Sequence, residues 1–434
     1  MIPSQLNRLD DPTRRQFMSG LAKTFLGVGL LPGASAFAAG GEDRQIPLRK
    51  NPAKKIIYLY MSGGMSHLDT FDPKPDADAE IRGNLSAIKT SADGVRISEY
   101  LPQLARHMDK AVVINSLHSR TGAHAQGQYL MRTNYEKRGT IKHPHMGAWL
   151  LKYQDRINDQ LPGFVAINSG SRNVGSGFFG SSYAPLVIGK PDSGLQNSAH
   201  YRGIDDTTFE RRRKLAVQLD EGFHNKYNDV NAAAYTTMYD EAVTLMQSRD
   251  LDAFDLSQES QEMRDLYGDH SFGQGCLLAR RLSESGTRSV EVQMGGWDTH
   301  QENFERVQSN TAILDRALSA LLGDLASRGL LEETLVVLTT EFGRTPKINQ
   351  NAGRDHYPKA FSAVLAGGGV KGGTVYGKTD ANGTEPIENA IKVTDFNATI
   401  AYGLGLPLDQ RLFSPSARPF TVAHKGNPVT ELFI

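Results

Sequence analysis

Only one cysteine, Cys276, occurs in 434 residues, so no intramolecular disulfide can form. Its apolar helical setting, "GQGCLLARRL", predicts a buried structural thiol rather than a nucleophile. Neither sign of charge is in excess: Lys+Arg and Asp+Glu each total 48, and the formal net charge is zero. Without a clustered Lys/Arg footprint, no nucleic-acid partner is expected. The one basic run, "ERRRK" at 210–214, lies in a polar helical stretch and reads as a solvated helix face. Long apolar runs are also missing. The segment "GLAKTFLGVGLL" is too short and too glycine-rich to span a membrane, and no transmembrane segment is expected in the mature chain. There are no internal repeats and no low-complexity stretches.

The first 40 residues carry a different pattern. Arg14 and Arg15 in "TRRQFM" precede that short apolar segment, then Pro32 and the small-residue run "ASAFAAG". This order predicts a twin-arginine signal peptide, residues 1–38, with cleavage after Ala38 and a linker over 39–53. The protein is then expected to be periplasmic or extracellular, exported folded, with no need of disulfides.

From residue 54 onward, β-branched runs alternate with helical spacing. Strands are predicted at 54–61 ("KKIIYLYM"), 111–117 ("AVVINSL"), in "GFVAINSG", and at 288–294, 334–342 and 361–369. Helices are predicted in "ISEYLPQLARHM", in "PHMGAWLLKYQ" with Pro144 near its start, over roughly 303–328, and in "VTDFNATIAYGLG". Residues of about 205–285 form a polar helical block, read as an insertion or cover with Tyr235, Met238, Ala242, Leu245 and Met246 on one face. The expectation is a single α/β domain over 54–434. It has a doubly wound, mostly parallel sheet with helices on both faces.

Open α/β sheets bind ligands outside the carboxyl ends of their strands. Four predicted strand ends carry polar clusters. The first is "SGGMSHLDTFDPKP", with Ser62, His67, Asp69 and Asp72. The second is "HSRTGAHAQG", with His118, Ser119, Arg120, Thr121 and His124. The third is "GGWDTHQEN", with Asp298, His300 and Glu302. The fourth is "EFGRTPKINQNAGRDHYP", with Glu341, Arg344, Arg354, Asp355 and His356. Imidazoles with carboxylates suit a divalent metal or a general acid/base pair. Guanidinium groups suit an oxyanion. His143 and His145, in "KHPHMG", are a fifth candidate, with a helix-capping turn the alternative.

An Arg-Arg leader followed in order by "MSGGMSHLDTFDPKP", "GGWDTH", "TEFGRTPKIN", "GRDHYP" and "LAGGGVKGG" resembles the exported bacterial proteins of the domain-of-unknown-function 1501 family. That family in turn resembles the alkaline phosphatase and sulfatase superfamily. The resemblance implies a metal-dependent hydrolase of a phosphate or sulfate ester, small or polymeric, or of a related anionic substrate. It implies one divalent ion (zinc, manganese or calcium) among Asp298, His300, Glu341, His356, Asp69 and His67. Thr121 or Ser119 would attack, or a water would, with Arg344 on the anion and Arg120, Arg354 and His124 binding substrate. The chain departs from the superfamily pattern at Ser62, where an Asp is expected, and at Glu341-Phe342, which replaces an Asp-His pair. The nucleophile region has no Cys. These departures leave a second class open: an envelope protein that kept the fold for binding or assembly. Replacing both Arg14 and Arg15 with Lys is expected to leave uncleaved precursor in the cytoplasm. Normal arrival of the double variant in the envelope would overturn the signal assignment.

Overall fold

β-Branched and aromatic runs form the centre of the molecule, because their side chains pack well on a pleated surface buried on both faces. The computed structural model describes residues 46–434 except 171–174, 197, 199–200, 202 and 228–229. The expected signal peptide and the first part of the linker lie outside the described residues. The main sheet is built from β1 (Lys55–Met61), β2 (Ala111–His118), β3 (Phe164–Ile167), β4 (Leu186–Ile188), β5 (Ser289–Met294), β6 (Thr334–Thr339), β7 (Phe361–Gly367) and β8 (Thr374–Tyr376). Their order is β8-β2-β7-β6-β1-β5-β3-β4, and the short strand Ile391–Lys392 also pairs with β2. Every neighbouring pair is parallel except those of β7, which runs against both β2 and β6. The carboxyl ends of β1, β2, β5 and β6 therefore share one edge.

Alternation along β1 divides the core. Ile57, Leu59 and Met61 join one apolar cluster, while Ile56, Tyr58 and Tyr60 join another on the opposite face. The longer helices are α1 (His124–Thr133), α2 (Met146–Gln154), α3 (Asp206–Tyr227), α4 (Val230–Gln247), α5 (Ser271–Glu284), α6 (Asn303–Ser327) and α7 (Val393–Gly403). α5 and α6 cover the first face through Phe272, Leu278, Leu314 and Leu321; α2 and α7 cover the second through Trp149, Phe396 and Ile400. The architecture is the expected doubly wound, mostly parallel α/β sheet.

Details differ from the sequence reading. "LPQLARHM" winds as a 3-10 helix, Leu104–Lys110, following Pro102. Within the stretch read as an insertion, α5 is a layer helix, with Phe272, Cys276, Leu277 and Leu282 fully buried against the sheet. Burial raises the Cys276 thiol pKa far above its ordinary value, as suits a structural thiol. On α4 the buried side chains are Val243 and Leu245, whereas Met238 and Ala242 face solvent; the side chain of Tyr235 lies outside the described residues. Arg211, Arg212 and Lys214 on α3 are exposed, as a solvated face requires.

The second face holds a buried charge cluster. Glu291 on β5 accepts from Arg132 Nη2 at 2.8 Å, and His145 Nε2 lies 2.8 Å from its other oxygen. All three side chains are at most 2% exposed. Burial pushes the Glu291 carboxyl pKa up, but Arg132 and His145 outweigh this and hold it at about 2. His145 also caps α2, its Nδ1 accepting from the Gly147 N–H. The capping turn thus falls to this histidine, whose remaining N–H faces the Glu291 carboxylate. Removing one member strands a charge in the core, so Glu291→Gln is expected to lower stability by ~3–5 kcal/mol. The sign of the pH effect follows from the depressed pKa. The carboxylate's contribution is full above about pH 4.3, the ordinary glutamate value, and is lost as pH falls toward about 2. Urea melts of wild type and variant should differ at pH 7 and converge with acid; equal melts at pH 7 would contradict the assignment.

Candidate active site

β1 ends in the turn Ser62-Gly63-Gly64. Gly63 has φ +122°, and a Cβ there would lie 2.5 Å from the backbone nitrogen of Asp298. Only glycine lets this turn run so close to the "WDTH" loop after β5. The Gly63 N–H donates to Glu341 Oε1 at 2.9 Å, and the Tyr60 hydroxyl donates to Glu341 Oε2 at 3.0 Å. Gln128 Nε2 donates to both Ser62 Oγ and Glu341 Oε1. Glu341 is thus a buried carboxylate crowded with donors. Burial raises its pKa, but hydrogen bonds from His124, Gly63 and Gln128 bring it below the usual value.

Arg344 joins three loops. Its side chain is fully buried; Nε donates to Gly64 O, Nη1 to Arg354 O, and Nη2 to Gly63 O and to Asp298 Oδ1. The Asp298 contact is 2.5 Å. Burial alone would raise the Asp298 pKa; Arg344 and His356 instead hold this carboxylate far below its ordinary value.

Three imidazoles converge on Asp298. Each keeps Nδ1 toward an outer acceptor and Nε2 toward the carboxylate. His124 Nδ1 lies 2.8 Å from Glu341 Oε1, and its Nε2 3.3 Å from Asp298 Oδ2. His300 Nδ1 lies 2.7 Å from Asp355 Oδ1, and its Nε2 3.1 Å from Asp298 Oδ1. His356 Nδ1 lies 2.8 Å from the Gly122 carbonyl, and its Nε2 3.1 Å from Asp298 Oδ1. The Nε2 atoms of His300 and His356 are 3.0 Å apart. His124 Nε2 is buried and makes no hydrogen bond. Among the described residues, ligand atoms of His124, Asp298 and His356 lie within 4.8 Å of one another, close enough for one metal ion.

A neutral imidazole has one N–H, and these outer acceptors claim it at Nδ1. Its Nε2 lone pair then faces a carboxylate. The Glu341 hydrogen bond raises the His124 pKa against burial, whereas burial lowers that of His356 despite Asp298. A cation held by His124, His356 and Asp298 would resolve the conflict, with His300 Nε2 beside it. The donor set of imidazole and carboxylate fits zinc or manganese better than calcium, which prefers oxygen. Outer carboxylates on ligating histidines are a common supporting shell.

Phe342 stands where the resemblance implies a histidine. It is fully buried, its ring 5.0 Å from that of His124 and 4.7 Å from that of His356. It packs the two rings and supplies no ligand atom.

Several assigned residues serve other purposes. Glu341 lies behind His124 as its hydrogen-bond acceptor, so His124 replaces it at the centre. Asp69 is buried in a two-pronged pair with Arg354, Oδ2 to Nε 2.9 Å and Oδ1 to Nη2 3.0 Å, and also accepts from Asn303. Arg354 further donates to the Thr345, Pro346 and Ile81 carbonyls. Neither is free for a metal or substrate. Arg344, assigned to the anion, is fully buried and spends four of its five N–H groups on loop carbonyls and Asp298. His67 is buried with Nε2 2.8 Å from the Gly383 carbonyl and, among the described residues, joins no group of converging ligand atoms. Ser119 Oγ accepts weakly from the Thr121 N–H, and Thr121 Oγ1 from the Ala123 N–H. Their loop meets the site through Gly122 O, and Arg120 is exposed on it. Tyr60 and Gln128 were missed. Tyr60 looks like any aromatic strand residue, and Gln128 carries no charge to draw notice.

No curated protein matches the chain. Solved structures similar to it include the PsFucS1 sulfatase from Pseudoalteromonas sp., 13% identical, covering 88% of this chain and 72% of that one, with TM-score 0.38. The lipoteichoic acid synthase LtaP from Listeria monocytogenes is 11% identical, covering 84% and 76%, with TM-score 0.35. A TAB5 alkaline phosphatase mutant with bound Mg is 11% identical, covering 77% and 96%, with TM-score 0.33. Residues 53–433 match the family described as "Protein of unknown function (DUF1501)", and over that span the chain belongs to it.

Proposed function

We propose that the chain is an exported, metal-dependent hydrolase acting on a phosphate or sulfate ester or a related anionic substrate. His124, His300, His356 and Asp298 would hold one divalent ion. The observation that carries this reading is the arrangement of three imidazoles with Nδ1 fixed outward and Nε2 converging on one carboxylate. A divalent ion there supplies Lewis acidity toward an ester oxygen and makes bound water more acidic.

The chain's own groups then have distinct tasks. Glu341, Asp355 and the Gly122 carbonyl fix the tautomer and angle of the three rings. Arg344 keeps Asp298 ionised and in place. Arg120, alone of the three assigned arginines, stays exposed beside the cluster to meet an anionic substrate. The hydroxyls of Ser119 and Thr121 engage only their own turn, with no imidazole or carboxylate to take a proton. Water therefore suits the role of nucleophile better than either side chain. The twin-arginine leader read from the sequence would direct this chemistry to the periplasm or outside the cell, and export after folding would suit a protein loaded with its ion beforehand.

The second reading, a binding or assembly protein, draws on Arg344. Its 2.5 Å contact with Asp298 already neutralises that carboxylate. Metal analysis separates the two. Protein purified through its export route should hold about one zinc or manganese per chain, and the ion should raise the melting temperature. His300→Ala or His356→Ala should lose the ion and ester hydrolysis while staying folded. Asp355→Asn should weaken the ion by ~10–100-fold. Wild type without an ion or a metal-dependent melting shift would overturn the hydrolase reading in favour of the binding protein.

A further inference from the structure

A cavity of about 660 Å³ opens where α1 ends, between the turn after that helix and the loop 411–425. None of its lining residues belongs to the strand-end cluster. α1 spans ten residues, which puts roughly 15 Å between His124 and this end of the helix.

Rings form its floor. Tyr135 and His143 stack at 4.3 Å and 6°. Phe420 meets both edge-on, at 5.4 Å and 5.1 Å, and the exposed His424 ring tilts over Tyr135 at 4.4 Å. The Tyr129 hydroxyl accepts from the His143 backbone N–H at 2.7 Å and lies 2.8 Å from His143 Nδ1. Burial, reinforced by His424 and Arg138, lowers the His143 pKa to about 4, so the ring is neutral at ordinary pH.

Cations form the rim. Arg138, Arg411, Arg418 and Lys425 line the cavity, against one carboxylate, Glu136. Among the described residues, Arg138, Arg411 and Arg418 form no ion pair. Unpaired guanidiniums beside the half-buried Phe420 and exposed His424 rings suit an anionic group attached to a ring, gripped by charge on one side and by contact on the other. The loop is also held in an unusual shape. Ala417, His424 and Lys425 have φ of 56°, 41° and 66°, in the left-handed region that non-glycine residues avoid. Such strain gathers at ligand clamps, where the surroundings hold it. The volume falls in the ordinary range for small-molecule sites and far exceeds what a bare inorganic anion fills.

We infer that this cavity binds a ring-bearing organic oxyanion, its ring against Phe420 and His424 and its phosphate, sulfate or carboxylate group against Arg138, Arg411 and Arg418. The inference stands apart from the strand-end chemistry and needs no metal.

Titration calorimetry on the whole protein tests it with four probes: a sulfated disaccharide, its unsulfated counterpart, a nucleoside monophosphate and inorganic sulfate. At least one ring-bearing anion should bind about tenfold or more tighter than both the neutral sugar and inorganic sulfate. Which of the two binds identifies the source of the anionic group. Arg411→Gln with Arg418→Gln should weaken that binding by about tenfold or more. Both residues are exposed, and unchanged melting confirms that the variant folds; Arg138→Gln serves in its place if it does not. His124→Ala should bind as wild type does. Ring-bearing anions that bind no better than inorganic sulfate would overturn the inference. So would arginine variants with unchanged affinity, or loss of binding in His124→Ala.

Discussion

The buried guanidinium of Arg344 is the contact on which the strand-end geometry depends. One fully desolvated side chain reaches the Gly63 and Gly64 carbonyls after β1, Asp298 after β5 and the Arg354 carbonyl in its own loop. A buried charge is tolerated only when its donors are met and a counter-charge is near. Asp298 therefore cannot leave, and the "WDTH" loop is held against the glycine turn. The same logic acts one layer out, where Asp69 is locked to Arg354 and holds the second half of the long loop over His300. Gly353 completes this closure, since a Cβ there would fall 1.9 Å from the His300 carbonyl oxygen.

The site is also wired into the core. Glu291 pairs with Arg132, whose guanidinium sits 3.7 Å over the Tyr60 ring; the Tyr60 hydroxyl reaches Glu341, and Glu341 holds His124. Each link is buried or half-buried, where electrostatic contacts are stronger than in water. The position of one imidazole is thus set by a chain of polar groups that begins in the middle of the sheet.

Much of the frame was legible in the sequence. β-Branched runs that stop at "SGG" and "GGWDTH" mark strands ending in ligand loops, because a buried strand must give way to residues that can turn. The sense of β7 was not legible: "FSAVLAGGG" buries the same side chains whether parallel or antiparallel. Nor were partners. Asp69, Arg354 and Arg344 show their charge in the sequence but not that each is matched inside the fold, so structural ion pairs looked like ligands and anion holders. The sequence likewise shows His124 and Glu341 without showing that Glu341 stands behind the His124 ring. Tyr60 meets Glu341 only because β1 and β6 align with Tyr60 opposite Thr339, a register no local pattern states.

The arrangement of three outward-anchored imidazoles around Asp298 makes sense when a cation completes it. The most direct measurement is an anomalous difference map from crystals of protein purified through its export route. One peak about 2.1 Å from the Nε2 atoms of His124, His300 and His356 is the expected result. A map without a peak, with the His300 and His356 Nε2 atoms still 3.0 Å apart and sharing a proton, would contradict it.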